Sequence, residues 1–327
     1  MNREILLSII VPVYNVEMYV EACIHSIERI KTAKEVICID DGSTDHSLLR
    51  LKALAEQYND IVIVEQDNSG VSKARNKGIS LAKGKYICFF DSDDMVVGET
   101  VDHAVCLLED EKVDCVSFGY QTVDENCRYQ DCEINQSVSV SYNLSYLYAK
   151  SYLWHMIMRR EIFETQAITF GNMRYFEDKC LSMHFCAYCT KAIITTEVGY
   201  LYRMRSSSAM HSKSRHKAWF EDALKAAMFM ELLMEKTTDE EYKKQCQKQK
   251  QLFILHAMTT GIMVPEYSAE WIINELKKNG LFPFAPIWRL LRPNGSSTAL
   301  NYLRFGFFSK MYYSLFFKIV RMLRKIK

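Results

Sequence analysis

The sequence lacks any strong charge imbalance: its 327 residues carry a net charge of +1. It has no uninterrupted apolar stretch long enough to cross a bilayer. It also lacks a disulfide framework. The 11 cysteines are odd in number and scattered without a framework spacing, which points to free thiols in a reducing cytoplasm. The sequons at Asn135, Asn143 and Asn294 then carry no consequence. A signal peptide is not expected, because "LLSIIVPVYN" is short, holds Pro12 and runs into a polar motif. Internal repeats and low-complexity blocks are missing too. What is present is ordinary for a soluble globular protein: 49% of residues are hydrophobic, enough for a sizeable core. Length allows one large domain or two.

The first third alternates strand and helix signals. "LLSIIVPVYN", "EVICIDDGSTD", "DIVIVEQDNSG" and "YICFFDSDD" are apolar runs that end in turns. Between them lie "MYVEACIHSIERI", "SLLRLKALAEQY" and "VSKARNKGISLAKG", which have helical spacing; Gly84 suits a C-terminal cap for the last. Repeated strand–helix units predict a Rossmann-like, mostly parallel α/β sheet with helices on both faces and near-continuously apolar strands. Residues 120 to 200 are less regular. The last third is helical in pattern, with "HKAWFEDALKAAMFMELLMEK", "EEYKKQCQKQKQLFILHAMTTGIM" and "SAEWIINELKKNG". The expected partition is 1–210, a nucleotide-binding part (1–98) followed by an acceptor-side part (99–210), then a helical region (211–297) and a tail (298–327).

Ligands of open parallel α/β sheets bind just beyond the carboxyl ends of the strands. Asp40 and Asp41 follow "EVICI", and Asp91, Asp93 and Asp94 follow "YICFF". Asp and Gly are also common where strands end, simply as turn residues. Two acidic clusters after strands of one sheet favour a shared site. Close carboxylates repel unless a positive group sits between them, and a hard divalent cation such as Mg2+ or Mn2+ suits oxygen donors of this kind. Such an ion can neutralise a departing diphosphate.

Four segments, "SIIVPVYN", "VICIDDGSTD", "DNSGVSKARNKG" and "YICFFDSDD", occur in order and at the usual spacing. Together they resemble the nucleotide-sugar-binding half of family-2 glycosyltransferases, inverting enzymes of GT-A fold found in bacterial surface-polysaccharide synthesis. The likeness is close over residues 8 to 98 and weaker through "WHMIMRREIF", "RYFEDKCL" and "YLYRMRSSS". It implies an α/β GT-A domain, a UDP-sugar donor and Mn2+ or Mg2+. By position, Pro12, Val13 and Tyr14 would line the base and ribose pocket. Asp41 would bond the uracil edge, with Asp40 beside it. Arg75 would support the nucleotide or the acidic cluster. Asp91 would meet ribose or metal-bound water, and Asp93 would hold the metal; Asp94 lies next to them. The resemblance makes Asp178 of "FEDK" the general base, with Glu177 beside it, although acids also favour a helix N-terminus. Arg203 and Arg205 would cover the diphosphate, to which planar guanidinium donors are suited; a solvated basic loop is the plainer reading, and His211 could assist there. Trp154 and His155 fall in a region that faces the acceptor in relatives, amid residues that are mostly core.

Other signals are weaker. "GISLAKGKY" has one residue too many between its glycines for a phosphate loop, and Tyr follows its Lys. "CAYC", with Cys180 and His184 nearby, lacks a second pair at metal spacing and reads as a helix with buried thiols. No acidic residue follows Glu275, and "YLRFGFFSKMYYSLFFKIVRMLRKIK" mixes basic with large apolar residues. A terminal helix packed on the domain would explain that mix. Docking on a membrane surface explains it as well and suits a polyprenyl-diphosphate-linked saccharide acceptor. The expected location is therefore cytoplasmic, peripheral at the inner face of the cytoplasmic membrane. Nucleic acid is a poorer partner, since no recognised binding fold appears. A nucleotidyltransferase would show a glycine-rich basic loop after the first strand, which "VPVYNVEMYV" is not. A catalytically silent nucleotide-sugar-binding or scaffolding protein at the membrane is the other alternative.

Overall fold

Apolar runs bounded by turns become strands, and the amphipathic segments between them become the helices that cover the sheet. A computed structural model describes residues 4–125, 128–133, 139–141, 147–148, 152–204 and 215–281. The chain divides into two compact units, Met1–His211 and Ser212–Lys327. The first runs β1 (Leu7–Val13), α1 (Val20–Ile27), β2 (Lys34–Asp40), α2 (Ser47–Ala55), β3 (Ile61–Glu65), α3 (Val71–Leu81), β4 (Tyr86–Phe89), β5 (Met95–Val96) and α4 (Gly98–Asp110). It continues through β6 (Cys115–Val123), β7 (Tyr129–Glu133), β8 (Ser139–Ser141), β9 (Met156–Arg159), α5 (Arg160–Thr165), α6 (Glu177–Cys186) and β10 (Ala192–Arg203).

One ten-stranded sheet has the order β3-β2-β1-β4-β9-β6-β10-β5, with β7 added on β6 and β8 on β10. β1 pairs in parallel with β2 and β4, β2 with β3, and β6 with β10, while β9 lies antiparallel between β4 and β6. The central strands are almost wholly apolar, Ser8 of β1 apart, as burial on both faces requires: every residue of β1 and β4 is buried. β3, at the edge, is mostly half-buried or exposed. Register sets the ends level, since Val13 pairs with Asp40 and Asp40 with Glu65. The loops after β1, β2 and β4 therefore share one rim.

Gly84 does not cap α3, contrary to the sequence expectation. The helix ends at Leu81, and Gly84 lies in the turn leading to β4. Its role is close approach: a Cβ there would stand 2.6 Å from the Ser8 backbone nitrogen and 2.8 Å from the Leu7 carbonyl carbon. The Gly84 N–H donates to Ser8 Oγ at 2.8 Å.

The second unit contains α7 (Arg215–Glu235), α8 (Glu240–Gly261) and α9 (Ala269–Lys278), with α7 packed on α8. Asp239 caps α8 by accepting from Glu241 and Tyr242 N–H groups. Ser268 caps α9 in the same way. Gly280, at φ +69°, closes α9 with the Leu281 N–H on the Leu276 carbonyl, a Schellman ending. No helix among the described residues is long and apolar enough to cross a membrane. The basic tail lies outside the described residues.

Gly84→Ala should destabilise the first unit by about 1–3 kcal/mol, because backbone rather than a flexible side chain opposes the new methyl group. Denaturant midpoints compared with the native protein test this; equal midpoints would show that the turn yields.

Candidate active site

The site begins with α3. In "VSKARN", Ser72, Arg75 and Asn76 fall on one face of the helix by their spacing. All three reach the segment before α6. Ser72 Oγ donates to the Met173 carbonyl at 2.8 Å. Asn76 forms a two-point clip on Phe170, donating to its carbonyl at 3.0 Å and accepting its N–H at 2.8 Å. Between them, the buried Arg75 guanidinium donates to Asp91 Oδ1 at 2.8 Å, Glu177 Oε1 at 3.1 Å and Asp178 Oδ1 at 2.6 Å. The guanidinium also lies 5.3 Å from the Phe170 ring centroid. Two acidic segments distant in sequence thus meet on one cation. Glu177 and Asp178 open α6, where the helix dipole favours acids. They are presented by Phe176 in the left-handed conformation, φ +66°, which is strained for a bulky residue.

One guanidinium cannot neutralise three carboxylates. Burial pushes Glu177 up to about 8, reinforced by Asp178 and opposed by Arg75. Burial likewise pushes Asp178 up to about 6, with Arg75 pulling it back and Asp91 pushing it further. Arg75 is moved upward: burial acts against its charge, but Asp178, Asp91 and Glu177 together outweigh that. The pair therefore keeps its protons to higher pH than ordinary carboxyls do.

The other acids have different surroundings. Asp41 is buried, and its carboxylate accepts from Gln66 Nε2 at 2.7 Å, Ser69 N–H at 2.8 Å and Gly70 N–H at 2.8 Å. The last two lie at the start of α3, where Gly70 takes φ +91°. Asp40 accepts the Ser43 N–H through Oδ2 at 3.2 Å, whereas its buried Oδ1 has no partner among the described residues. Asp94 is buried, accepts from Tyr200 Oη at 2.8 Å and from the Arg203 N–H at 2.7 Å, and is pushed far up by burial and by Asp93 and Asp91. Tyr200 Oη in turn accepts the Asp91 N–H at 3.1 Å. Arg203 is buried: its Nε donates to the Asp93 carbonyl at 2.8 Å and its NH1 to the Glu125 carbonyl at 3.1 Å. Its side chain and backbone both tie it to the acidic loop. Arg205 and His211 lie outside the described residues.

At the end of β1, Pro12 and Val13 are buried, while Tyr14 is 47% exposed. Val13 offers its carbonyl to the Asp41 N–H at 2.9 Å. The Asn15 side chain accepts the Thr44 N–H, tying the loops after β1 and β2. The glycine-flanked "GISLAKG" forms the end of α3 and the turn into β4. Cys186 and Cys189 are buried thiols at the end of α6. His155 is buried against Ser117 Oγ at 2.9 Å. Sequence reading missed Gln66, Ser69, Ser72, Asn76 and Tyr200. Only Ser72 and Asn76 left a legible signal, their helical spacing around Arg75.

Asp91 and Asp93 are hard oxygen donors in the loop after β4, and among the described residues no group of three or more His, Cys, Asp or Glu is arranged to hold a metal. That donor set fits an ion such as Mg2+ or Mn2+ that keeps one or two carboxylates and takes its remaining ligands from phosphate and water.

The model of glycosyl transferase family 2 matches residues 8–182. The chain belongs to that family. It is a glycosyltransferase. It is 29% identical over 227 residues to glycosyltransferase GlyG of Streptococcus pneumoniae, covering 64% of this chain and 74% of that one. Its fold is GT-A, like that of S. aureus TarS 1-349 in complex with UDP-GlcNAc, with a TM-score of 0.66 at 17% identity over 98% of this chain and 92% of that one. It is also similar to the mannosyltransferase PcManGT of Pyrobaculum calidifontis, in complex with GDP-Man and Mn2+, with a TM-score of 0.55 at 17% identity over 99% and 88% of the two chains.

A carboxyl whose folded pKa is raised keeps its proton longer than in the unfolded chain, so stability falls as pH rises through that window. For Glu177 the window runs from 4.5 to about 8. Glu177→Gln should flatten the stability profile there and leave the variant more stable than the native protein at pH 8. Denaturant midpoints across this range test it; parallel profiles would contradict the assignment.

Proposed function

We propose that this glycosyltransferase moves a sugar from a UDP-sugar to a saccharide hydroxyl, with inversion, in cell-surface polysaccharide synthesis. The observation that carries the reading is the Arg75 bridge, which sets Asp178, with its raised pKa, beside strand-end acids that could hold a metal ion against a nucleoside diphosphate.

The chain's own groups divide the work. Tyr14 offers an exposed ring to the base, with Pro12 and Val13 forming the wall behind it. Asp40, whose Oδ1 lacks a donor, has capacity for a ring N–H, while Asp41 is spent on organising the loop around it. An unmatched base would leave that buried oxygen unpaired, which favours the matching one. Asp93, with Asp91 beside it, would hold Mn2+ or Mg2+, supplying positive charge against the departing diphosphate. Arg203 and Asp94 fix the loop that bears these acids, and Arg205 would add a phosphate contact. Asp178 accepts the proton of the acceptor hydroxyl as the new glycosidic bond forms and the bond to the diphosphate breaks. Its pKa of about 6 suits a base that is ionised at neutral pH yet still basic.

Asp178→Asn should lower transfer at least about 100-fold while UDP binding persists by calorimetry; retained turnover would refute the base assignment. In the same assay, chelation should suppress transfer by the native protein and Mn2+ or Mg2+ should restore it. Activity indifferent to chelation would overturn the role of Asp93.

The basic, aromatic-rich tail supports a peripheral place on the cytoplasmic face of the membrane, near a polyprenyl-diphosphate-linked acceptor. Removing residues 298–327 should abolish sedimentation with anionic vesicles. Undiminished sedimentation would exclude the tail as the anchor.

A further inference from the structure

Beyond the acidic loop stands a column of aromatic rings that the donor-side chemistry leaves unused. Tyr152 stacks on Trp154, with centroids 4.9 Å apart and planes 14° apart. Trp154 stacks in turn on Tyr200 at 4.3 Å and 11°. Tyr202 lies parallel to Trp154 at 6.0 Å, and Tyr120 meets it edge-on at 4.8 Å. The base of the column is rigid, because Tyr200 Oη donates to Asp94 and accepts from the Asp91 N–H. Burial falls away along the column: Tyr200 is 0% exposed, Trp154 4% and Tyr152 45%. A large ring held parallel on a buried tryptophan, with much of its surface in water, is a preformed stacking face with a polar hydroxyl tip.

Its position tells what it meets. The strand order puts β4 and its acidic loop between β2 and β1 on one side and β9, β6 and β10 on the other. Tyr14, Asp40 and Asp41 follow β1 and β2. The column rises from β6, β10 and the residues just before β9. The Tyr202 hydroxyl feels the acidic loop directly: it is pushed up to about 12, chiefly by burial and then by Asp94, Asp93 and Asp91. A group resting on the column thus lies across the acidic loop from the donor's base.

We propose that Tyr152, backed by Trp154 and flanked by Tyr120 and Tyr202, stacks against a pyranose ring of the acceptor, so that the acceptor is a ring saccharide rather than an open-chain polyol phosphate. This rests on the sugar-transfer reading above and deepens it. A pyranose presents a flat patch of C–H bonds to an aromatic face while its hydroxyls stay hydrated or reach the tyrosine hydroxyls. An open-chain polyol phosphate has no such face.

Saturation-transfer NMR on the full chain tests it, with cellobiose and chitobiose as ring probes and ribitol 5-phosphate as the open-chain probe. UDP binding by the native protein is measured in the same samples. The expected result is transfer to the ring C–H protons, binding weakened roughly tenfold in Tyr152→Ala and kept in Tyr152→Phe, since the ring carries the contact. Ring-probe binding that is undiminished in Tyr152→Ala, or absent from the native protein while ribitol 5-phosphate binds, overturns the proposal. Failure of the native protein to bind UDP would instead count against the donor reading, and the ring-probe result would still decide the platform.

Discussion

One buried guanidinium organises the site. Arg75 is the shared partner of an acid from the loop after β4 and two acids from the start of α6. Without a cation at that point, three largely buried carboxylates could not sit together. Removing the cation from such a cluster typically costs several kcal/mol, because the buried carboxylates are left unpaired. The neighbours of Arg75 on α3 serve the same end. Ser72 and Asn76 hold the backbone at Met173 and Phe170, so the segment leading into the helix that carries Glu177 and Asp178 is held by hydrogen bonds as well as by charge.

The cation is outnumbered, and that imbalance is chemically useful. Burial and mutual repulsion raise both Glu177 and Asp178 above ordinary carboxyls, so the pair titrates closer to neutral pH. The acids across the rim differ again: Asp41 is saturated by backbone and side-chain donors, whereas Asp40 retains an oxygen without one. Asp94 is committed to Tyr200 and to the backbone of Arg203. Residue type alone would group these carboxylates together, but hydrogen bonding gives each a separate task.

Tyr200 links the two sides of the site. Its hydroxyl belongs to the acidic loop and its ring to the aromatic column. The geometry of the loop and that of the stacking face are therefore mechanically joined, and the antiparallel insertion of β9 between β4 and β6 spaces them apart.

The sequence by itself determined the alternation of strands and helices, the rim on which the acids gather and the family, because apolar runs, turn residues and four ordered motifs are local signals. Even the face of α3 bearing Ser72, Arg75 and Asn76 could be read from helical spacing. Tertiary structure alone decided which acids meet. Arg75 and Asp178 are about a hundred positions apart, and no local rule predicts that one donates to the other. It likewise decided that Arg203 is tied to the acidic loop, that Gly84 yields to strand β1 rather than capping a helix, and that Tyr152 stacks outermost on Trp154. Those outcomes depend on burial and on pairing between distant segments, and a pKa or a stacking face exists only once such segments have packed.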